Sequence, residues 1–251
     1  EVVVKFLFVT DLDNTLVGDD RTLTELNQKL SYHRHVHGTK IVYATGRSPI
    51  LYQELQQEKN LISPDALVAS VGTEIYLDGI DNPYTAWSEQ LDLGWDRDKI
   101  LAIAAHFADL TLQADSEQRP YKVSFHLART VAGELLPQLE STLKQQGLEV
   151  KLIYSTGTDL DILPLRGDKG LAVKFLRSTW KVSSEKTVVC GDSGNDISMF
   201  ATRETKGIIV GNASSELLEW HEANPGGDRY LAQAPCAGGI LEGLGHFGFL
   251  G

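Results

Sequence analysis

The chain has 251 residues, 42% of them hydrophobic, and a formal net charge of −11. That length and apolar content suffice for one large domain or for two smaller ones. The acidic balance argues against a nucleic-acid partner, which would require a basic face. No run of about 18 apolar residues occurs, so we expect no membrane-spanning helix and no membrane partner.

The amino terminus and the cysteines bear on the cellular compartment. The sequence from Glu1 onward shows neither the basic start nor the small-residue cleavage site of a signal peptide. The two cysteines, Cys190 and Cys236, are too few for a disulfide framework, and Cys190 ends an apolar run that is typical of a buried strand. We therefore expect a cytoplasmic protein, and a monomer.

Short apolar runs alternate with helical patterns at both ends of the chain. The predicted strands cover residues 2–10, 39–44, 66–71, 186–190 and 206–210. The predicted helices lie near residues 22–37, 48–59, 168–179, 194–202 and 214–222. This alternation is typical of a doubly wound α/β fold, in which helices cover both faces of a mostly parallel sheet.

The middle of the chain has a different pattern, which begins after the turn cluster Asp78–Pro83. It contains predicted helices near 96–108 and 131–145 and predicted strands near 121–127, 149–154 and 159–163. We expect a smaller α+β cap domain at residues 83–164, inserted into a discontinuous core domain of residues 1–82 and 165–251. The Gly-rich stretch from Gly238 to Gly251 shows no motif.

Two carboxylates follow the first predicted strand. Asp11 and Asp13 stand at positions i and i+2, so an extended segment places them on the same side. Like charges this close raise each other's pKa unless a cation joins them. Mg²⁺ is the hard ion that binds through a few carboxylates together with a substrate phosphate. The pair therefore predicts a Mg²⁺ site that receives a phosphate monoester.

Three further motifs occupy positions similar to that of the Asp11–Asp13 pair. They are Thr45-Gly46-Arg47, Lys169 and Gly191-Asp192-Ser193-Gly194-Asn195-Asp196. Each lies beyond a short apolar run or opens a helix. In an open α/β sheet, these positions gather ligand groups outside the carboxyl ends of the strands. We expect Asp13 to offer Mg²⁺ its backbone carbonyl and Asp196 to ligate directly or through water. The expected metal site comprises Asp11, Asp13, Asp192 and Asp196.

The same residues suggest phosphoryl transfer. Asp11 is placed to attack phosphorus and form an aspartyl-phosphate, and Asp13 to act as general acid and then as general base. Since catalysis of this reaction is mainly positioning and electrostatics, we expect phosphate and substrate contacts from Thr45, Gly46, Arg47, Lys169 and Asn195. Each motif alone is equally typical of a turn, a helix entry or a solvated lysine, and only the set predicts the site.

The four motifs resemble those of the haloacid dehalogenase superfamily of Mg²⁺-dependent phosphohydrolases. The resemblance implies a doubly wound core and a mobile cap that shapes the leaving-group pocket. It also implies that Asp11 is the nucleophile, that Asp13 is the acid and base, and that Thr45 and Lys169 hold the phosphate. Magnesium would then lie at Asp11, Asp13 and Asp192.

Four more segments extend the resemblance over nearly the whole chain, namely Ala44–Ser48, Val71–Tyr76, Lys122–His126 and Asp159–Pro164. They resemble the short, cyanobacterial form of sucrose-phosphate phosphatase, which lacks the additional carboxyl-terminal domain of the plant enzymes. The resemblance implies hydrolysis of sucrose 6-phosphate, the last step of sucrose synthesis. From the same resemblance we expect the protein to dock on a sucrose-phosphate synthase.

Polar residues alternate along two predicted cap strands. The residues that we expect to contact a sugar are Lys122, Ser124, His126, Asp159 and Asp161, with Glu74 facing the same pocket from the end of a core strand. Paired donors and acceptors on a lid suit a disaccharide, which presents many hydroxyl groups. The exposed polar face of an antiparallel strand is the alternative explanation of the same pattern.

The residues alone leave other functions open. A phosphatase that acts on trehalose 6-phosphate, mannosyl-phosphoglycerate or a hexose phosphate would carry the same catalytic motifs. A non-catalytic sugar-binding module is a second alternative, although a pure binder would gain nothing from the costly Asp11–Asp13 pair. The segment Gly211–Glu216 has the pattern of a helix entry, and we assign it no catalytic role.

Overall fold

The computed structural model describes residues 6–202 and 204–250. The first predicted strand, 2–10, falls partly on residues 2–5, which lie outside the described residues. Within these ranges the first strand covers Leu7–Thr10. No helix in the described part of the chain is both long and apolar enough to cross a membrane.

The described residues form two sheets. In chain order their strands are β1 (Leu7–Thr10), β2 (Lys40–Ala44), β3 (Ala66–Ala69), β4 (Glu74–Tyr76), β5 (Thr111–Leu112), β6 (Val123–His126), β7 (Val150–Ser155), β8 (Asp159–Pro164), β9 (Thr187–Gly191), β10 (Lys206–Ile209) and β11 (Asp228–Leu231). The larger sheet has the order β11-β10-β9-β1-β2-β3-β4, and only β4 is antiparallel to its neighbour. The predicted mostly parallel sheet is confirmed.

Helices cover both faces of the larger sheet and one face of the smaller one. In chain order they are α1 (Asp20–His37), α2 (Pro49–Lys59), α3 (Thr85–Ser88), α4 (Arg97–Ala104), α5 (Arg129–Gln145), α6 (Lys169–Trp180), α7 (Ile197–Phe200), α8 (Ser215–Ala223) and α9 (Cys236–Phe247). Apolar side chains of α1, α2 and α9 pack on one face of the large sheet, and those of α6, α7 and α8 on the other. The doubly wound arrangement is therefore confirmed.

Strand β1 lies at the centre of the larger sheet, between β2 and β9. Successive side chains of a strand point to opposite faces. Accordingly Phe8 packs with the α1 side of the core, whereas Leu7 and Val9 pack with the α6 side. Because all three side chains are buried, the end of β1 is held firmly, and that end carries Asp11.

The smaller sheet has the order β5-β6-β8-β7 and is antiparallel throughout. Helices α4 and α5 pack their apolar sides against it and form a separate hydrophobic cluster. These elements lie within the predicted cap, residues 83–164. Trp87 and Leu91, however, pack in the cluster on the large sheet. The boundaries at 83 and 164 stay a prediction.

The third predicted strand, 66–71, ends earlier than the apolar run suggests. Strand β3 stops at Ala69, and a short 3-10 turn follows in which Ser70 and Val71 have φ of 52° and 61°. At Gly72, φ is 98°, and a Cβ there would lie 2.0 Å from the carbonyl carbon of Asp168. The turn therefore packs directly on the start of α6 before the chain enters β4, a strand that the sequence analysis missed.

Most of the Gly-rich stretch lies in helix α9, and strand β11 precedes that helix. Strand β11 and helix α9 both went unpredicted, and α9 packs on α1 and β10. A Cβ at Gly243 would lie 2.5 Å from Cγ1 of Ile208, so the glycines allow the helix to approach the sheet closely. Helix propensity alone disfavours glycine, and tertiary packing overrides it here.

Two predicted helices have different limits. The helix predicted at 194–202 consists of a 3-10 turn, Gly194–Asp196, followed by α7. The helix predicted near 96–108 ends at Ala104 as α4. The turn before α7 brings three consecutive residues to the carboxyl end of the larger sheet.

Candidate active site

Asp11 and Asp192 lie side by side because β1 and β9 are parallel neighbours. The backbone N–H of Asp11 donates to the carbonyl oxygen of Cys190 at 3.0 Å, which extends the pairing of the two strands. The hydroxyl of Thr15 then donates to both carboxylates, at 2.8 Å to Asp192 Oδ1 and 3.3 Å to Asp11 Oδ2. Parallel pairing and one hydroxyl therefore hold the two acidic groups together.

Lys169 provides the cation of this cluster. It opens α6, whose N-cap Asp168 accepts a hydrogen bond from the N–H of Leu171 at 2.8 Å. The Lys169 side chain is fully buried, and its Nζ donates to Asp11 Oδ1 at 2.9 Å and to Asp196 Oδ1 at 2.8 Å. Its third donation is to Asn195 Oδ1, at 3.0 Å. All three donors of the ammonium group are thus used.

Burial and charge shift the ionisation of these groups. Burial is the largest influence on Asp11, and it outweighs the neighbouring Lys169 and raises the pKa of Asp11 to about 8. Burial lowers the pKa of Lys169, but Asp11 and Asp196 raise it by more, so it lies above its usual value. The lysine is therefore charged at neutral pH, whereas the Asp11 carboxyl binds a proton readily when no metal is present.

Asp196 supports the other residues of the site. Its Oδ2 accepts hydrogen bonds from the N–H groups of Asp192 at 2.9 Å and Ser193 at 3.2 Å, and its Oδ1 accepts from Lys169. Burial and the charge of Asp11 raise its pKa to about 6. A Cβ at Gly191 would lie 2.5 Å from the Cβ of Asp196, so glycine at 191 makes room for it.

The acidic residues fit a divalent cation. Asp11, Asp192 and Asp196 each offer a carboxylate oxygen, and these atoms lie within 4.8 Å of one another. Such clustered oxygen donors are the ligands that Mg²⁺ and Ca²⁺ prefer. A bound cation would also compensate for the repulsion between Asp11 and Asp192, which raises the pKa of Asp11.

Asp13 lines the same cavity as Asp11 and Asp192, and its carboxylate binds Arg47. The guanidinium donates from Nε to Asp13 Oδ2 at 2.7 Å and from Nη2 to Asp13 Oδ1 at 2.9 Å. Arg47 Nη1 also donates to the carbonyl oxygen of Leu51, and the N–H of Arg47 donates to Thr45 Oγ1 at 3.0 Å. The Thr45 hydroxyl proton is thus left for another acceptor.

A cavity of about 270 Å³ opens between the two sheets, lined by residues from both. The predicted site residues that line it are Asp11, Asp13, Gly46, Arg47, Lys122, Asp159, Asp161, Asp192 and Asn195. Thr45, Lys169 and Asp196 are buried beside it. The cavity therefore lies between the motifs that we expect to bind phosphate and a polar surface of the cap.

Three predicted sugar contacts form one network in the cap. Ser124 and Asp161 are directly opposite each other on β6 and β8, and the Ser124 hydroxyl donates to Asp161 Oδ1 at 2.6 Å. Lys122 Nζ donates to Ser124 Oγ at 2.6 Å and lies 3.6 Å from carboxylate oxygens of Asp161 and Glu117. The Lys122 side chain is 2% exposed. Lys122 and Asp161 line the cavity, with Ser124 bridging them.

Glu74 and His126 do not line the cavity. The buried carboxylate of Glu74 accepts from Arg119 Nε at 2.9 Å and Nη2 at 2.6 Å, and from the hydroxyl of Tyr76. Burial raises its pKa, but these hydrogen bonds, that of Arg119 first, lower it by more. Glu74 therefore ties the core to the cap. His126 is 58% exposed and lies 3.5 Å from Asp159.

Several cavity residues were not anticipated. From the cap they are Gln113, Glu117, Ser155 and Thr156, and from the core Asn14 and Ser193. Ser193 lies inside a recognised motif, so the motif itself was the signal for it. The cap residues come from a turn and a hairpin end, where no spacing pattern marks a site.

The comparisons with known proteins agree with this geometry. Residues 4–248 match the model of the family Sucrose-6F-phosphate phosphohydrolase. A probable sucrose-phosphatase 2 of Arabidopsis thaliana is 41% identical over 97% of this chain, which spans 60% of that relative's length. A mannosylfructose-phosphate phosphatase of Agrobacterium fabrum is 32% identical, with 96% of each chain covered.

Solved structures are similar as well. The sucrose-phosphatase of Synechocystis, determined in complex with sucrose and phosphate, is 40% identical, has a TM-score of 0.91 and matches 98% of each chain. A sugar phosphatase of the haloacid dehalogenase superfamily, at 16% identity, 97% and 99% coverage and a TM-score of 0.66, shows the fold alone. The family match covers almost all of the sequence, including all four motifs, and the chain belongs to the sucrose-6F-phosphate phosphohydrolase family.

Proposed function

We propose that the protein is a Mg²⁺-dependent phosphatase that hydrolyses sucrose 6-phosphate to sucrose and phosphate through an aspartyl-phosphate on Asp11. The observation that carries this proposal is the shared cavity, in which Asp11 and the cap residues Lys122 and Asp161 face the same space. A phosphate at Asp11 would leave its sugar against the polar cap. The solved relative with bound sucrose and phosphate supports this choice of substrate.

The metal in this proposal is held by the carboxylates of Asp11 and Asp192 and by the backbone carbonyl of Asp13. Mg²⁺ would supply charge neutralisation between the carboxylates and the phosphate. Asp196 lies behind these groups, and its oxygens accept three hydrogen bonds that orient Asp192 and Lys169. We propose that Asp196 also binds the metal, directly or through a water molecule.

The two aspartates have separate tasks in the reaction. Asp11 attacks phosphorus, and Lys169 together with Thr45 and the N–H of Gly46 binds the phosphate oxygens. Asp13 donates a proton to the departing sugar oxygen and then removes one from the water that hydrolyses the aspartyl-phosphate. Before that donation, Arg47 has to release Asp13, because both carboxylate oxygens of Asp13 accept hydrogen bonds from its guanidinium.

The test is release of inorganic phosphate from a panel of sugar phosphates, with Mg²⁺ and after chelation. We expect kcat/KM to be highest for sucrose 6-phosphate and at least about tenfold lower for glucose 6-phosphate and fructose 6-phosphate, because remote contacts contribute to the transition state. Equal values for all three would contradict the disaccharide assignment but leave the phosphatase reaction intact.

Mannosylfructose phosphate is the second candidate substrate, since a relative of the same length is named for it. It shares the fructosyl unit with sucrose 6-phosphate, and both belong in the panel together with trehalose 6-phosphate and mannosyl-phosphoglycerate. A higher kcat/KM for any of these would reassign the substrate.

We also propose that the protein is a cytoplasmic monomer that docks on a sucrose-phosphate synthase. Fractionation, the molar mass in solution and co-purification with the synthase test these three points separately. A membrane-bound fraction, a stable dimer or the absence of co-purification would each contradict its own point.

A further inference from the structure

Glu216 connects the cap to the catalytic turn. It lies in the first turn of α8, in a segment to which the sequence analysis assigned no role. Its Oε1 accepts a hydrogen bond from the N–H of Thr156 at 2.7 Å and another from the N–H of Gly194 at 3.3 Å. Thr156 belongs to the β7–β8 hairpin of the cap, and Gly194 begins the turn that carries Asn195 and Asp196. One carboxylate oxygen thus joins the two domains.

The cap strand also packs directly on that turn. A Cβ at Gly194 would lie 2.5 Å from the carbonyl oxygen of Tyr154 and 3.1 Å from Cγ of Glu216. Only glycine at this position leaves room for β7 and Glu216 to approach. This close approach is independent of the hydrogen bonds, and it places the hairpin next to Asn195, which lines the cavity together with Thr156.

A second cap residue faces the same carboxylate. Arg129, at the start of α5, donates from Nη2 to Ser215 Oγ at 3.0 Å and lies 4.0 Å from Glu216 Oε2. The Arg129 side chain is 65% exposed and that of Glu216 20% exposed, so solvent screens this ion pair and the two hydrogen bonds from N–H groups are the stronger contacts of Glu216. Both oxygens of Glu216 therefore face cap groups.

The turn that Glu216 holds is the one that positions the catalytic groups. Asn195 and Asp196 both accept hydrogen bonds from Lys169, and Lys169 contacts Asp11. A shift of the turn would alter these contacts, and a shift of about 1 Å is enough to slow an enzyme severely. Because Glu216 contacts both the cap hairpin and the turn, a movement of the hairpin would change the position of the turn and its contacts with Lys169.

We propose that Glu216 is a positioning residue that couples closure of the cap over the sugar to the alignment of the Gly194–Asp196 turn at the phosphate. This inference rests on the proposed function, because it requires that the sugar binds in the cap. It predicts that the sugar and phosphate halves of the site bind cooperatively and that Glu216 carries the cooperativity.

The experiment measures this coupling without turnover. Inorganic phosphate is titrated into the Mg²⁺-loaded protein by calorimetry, with and without saturating sucrose. In the unmodified protein we expect sucrose to tighten phosphate binding at least about fivefold. In Glu216→Ala we expect less than about a twofold effect of sucrose. Glu216→Gln, which retains an acceptor oxygen, should restore part of the coupling, and Glu219→Ala, an exposed position on the same helix, should leave it unchanged.

Steady-state kinetics on two substrates provide a second test of the role of Glu216. In Glu216→Ala, we expect kcat/KM for sucrose 6-phosphate to fall about tenfold to a hundredfold, the range for lost charge-assisted hydrogen bonds. Hydrolysis of p-nitrophenyl phosphate, which has no sugar to enclose, should fall less than about threefold. Equal losses on both substrates would mean that Glu216 only maintains the turn, and this would overturn the inference.

The outcomes separate the inference from the function on which it rests. If sucrose tightens phosphate binding equally in the unmodified protein and in Glu216→Ala, the inference is wrong while the proposed function stands. If sucrose has no effect on the unmodified protein and sucrose 6-phosphate is not hydrolysed, the proposed function itself fails, and the inference fails with it.

Discussion

The carboxylate of Asp13 accepts two hydrogen bonds from the guanidinium of Arg47, at 2.7 Å from Nε and 2.9 Å from Nη2. The pair joins the segment that follows β1 to the segment that follows β2, two neighbouring strands of the larger sheet. Asp13 is the proposed acid and base, and this contact orients its carboxylate. Arg47 lines the cavity, and an incoming phosphate offers its guanidinium another partner.

Arg47→Ala should impair the proton-transfer steps without removing them. We expect kcat for sucrose 6-phosphate to fall about tenfold to a hundredfold, less than the 10²–10⁴-fold typical of losing a general acid or base in Asp13→Asn. An aryl phosphate needs little protonation of its leaving group and should lose less. Arg21→Ala, at an exposed position of α1, is the control. Equal losses on alkyl and aryl phosphates would contradict the orienting role of Arg47.

Asp11→Asn should abolish turnover while substrate binding persists or improves. The change removes the nucleophile and also one negative charge that repels the phosphate. Rapid-quench assays for the phosphorylated protein and equilibrium binding of sucrose 6-phosphate provide the two measurements. Retention of a tenth of the unmodified turnover, with deamidation excluded by mass spectrometry, would refute Asp11 as the nucleophile.

Metal affinity should increase with pH in the neutral range. In the metal-free protein, burial raises the pKa of Asp11 to about 8, so a proton competes with the cation at pH 7. We expect the apparent Mg²⁺ affinity to rise by up to about tenfold per pH unit from pH 6 to pH 8, with release of a proton on binding. Calorimetry in buffers of different ionisation enthalpy measures both quantities. An affinity that does not depend on pH would contradict this view of the site.

The same pKa has a consequence for the stability of the metal-free protein. The folded-state pKa of Asp11, about 8, lies above the usual value of 3.8 for an aspartate side chain. The folded state therefore binds the proton more tightly, and the free energy of unfolding should fall as pH rises from about 4 to about 8. Saturating Mg²⁺ should remove this decline, and Asp11→Asn should reduce it to the part that Asp196, with a pKa raised to about 6, contributes below about pH 6, as thermal melts at several pH values would show.

Lys122→Ala should narrow the preference for disaccharide phosphates. Its buried ammonium group lies between Ser124, Asp161 and Glu117 at the cap side of the cavity. We expect a lower kcat/KM for sucrose 6-phosphate, by at least about tenfold, with little change for p-nitrophenyl phosphate. Lys144→Ala, an exposed lysine of α5, is the matched control.

Removal of Lys122 also leaves two carboxylates without their buried cation, at a cost of about 3–5 kcal/mol of stability. The melting temperature of the variant and its aryl-phosphate activity show whether the protein is folded under assay conditions. An unchanged ratio of kcat/KM between sucrose 6-phosphate and glucose 6-phosphate in the folded variant would contradict a role of Lys122 in substrate choice.

The grouping of Asp11, Asp192 and Lys169 could be predicted from the sequence because these positions depend on local rules. Strand β1 is a continuous apolar run, its end carries Asp11, and parallel strands present their carboxyl ends at one edge of the sheet. The same rule placed Thr45 and Asp192 beside it. Lys169 opens a helix that the sequence pattern predicted, and the structure shows Asp168 as the N-cap of that helix. Short-range periodicity and strand polarity therefore determined both the fold class and this cluster.

Tertiary contacts decided the rest. Nothing near Glu74 in the sequence indicates that Arg119 will bind it, and nothing near Glu216 indicates the N–H groups of Thr156 and Gly194. Helix α9 forms despite its glycines, because they allow it to pack closely on β10. In each case the partner lies far away along the chain, and the contact forms only when the cap and the last strands have packed. Long-range packing, which local propensity does not encode, set these features.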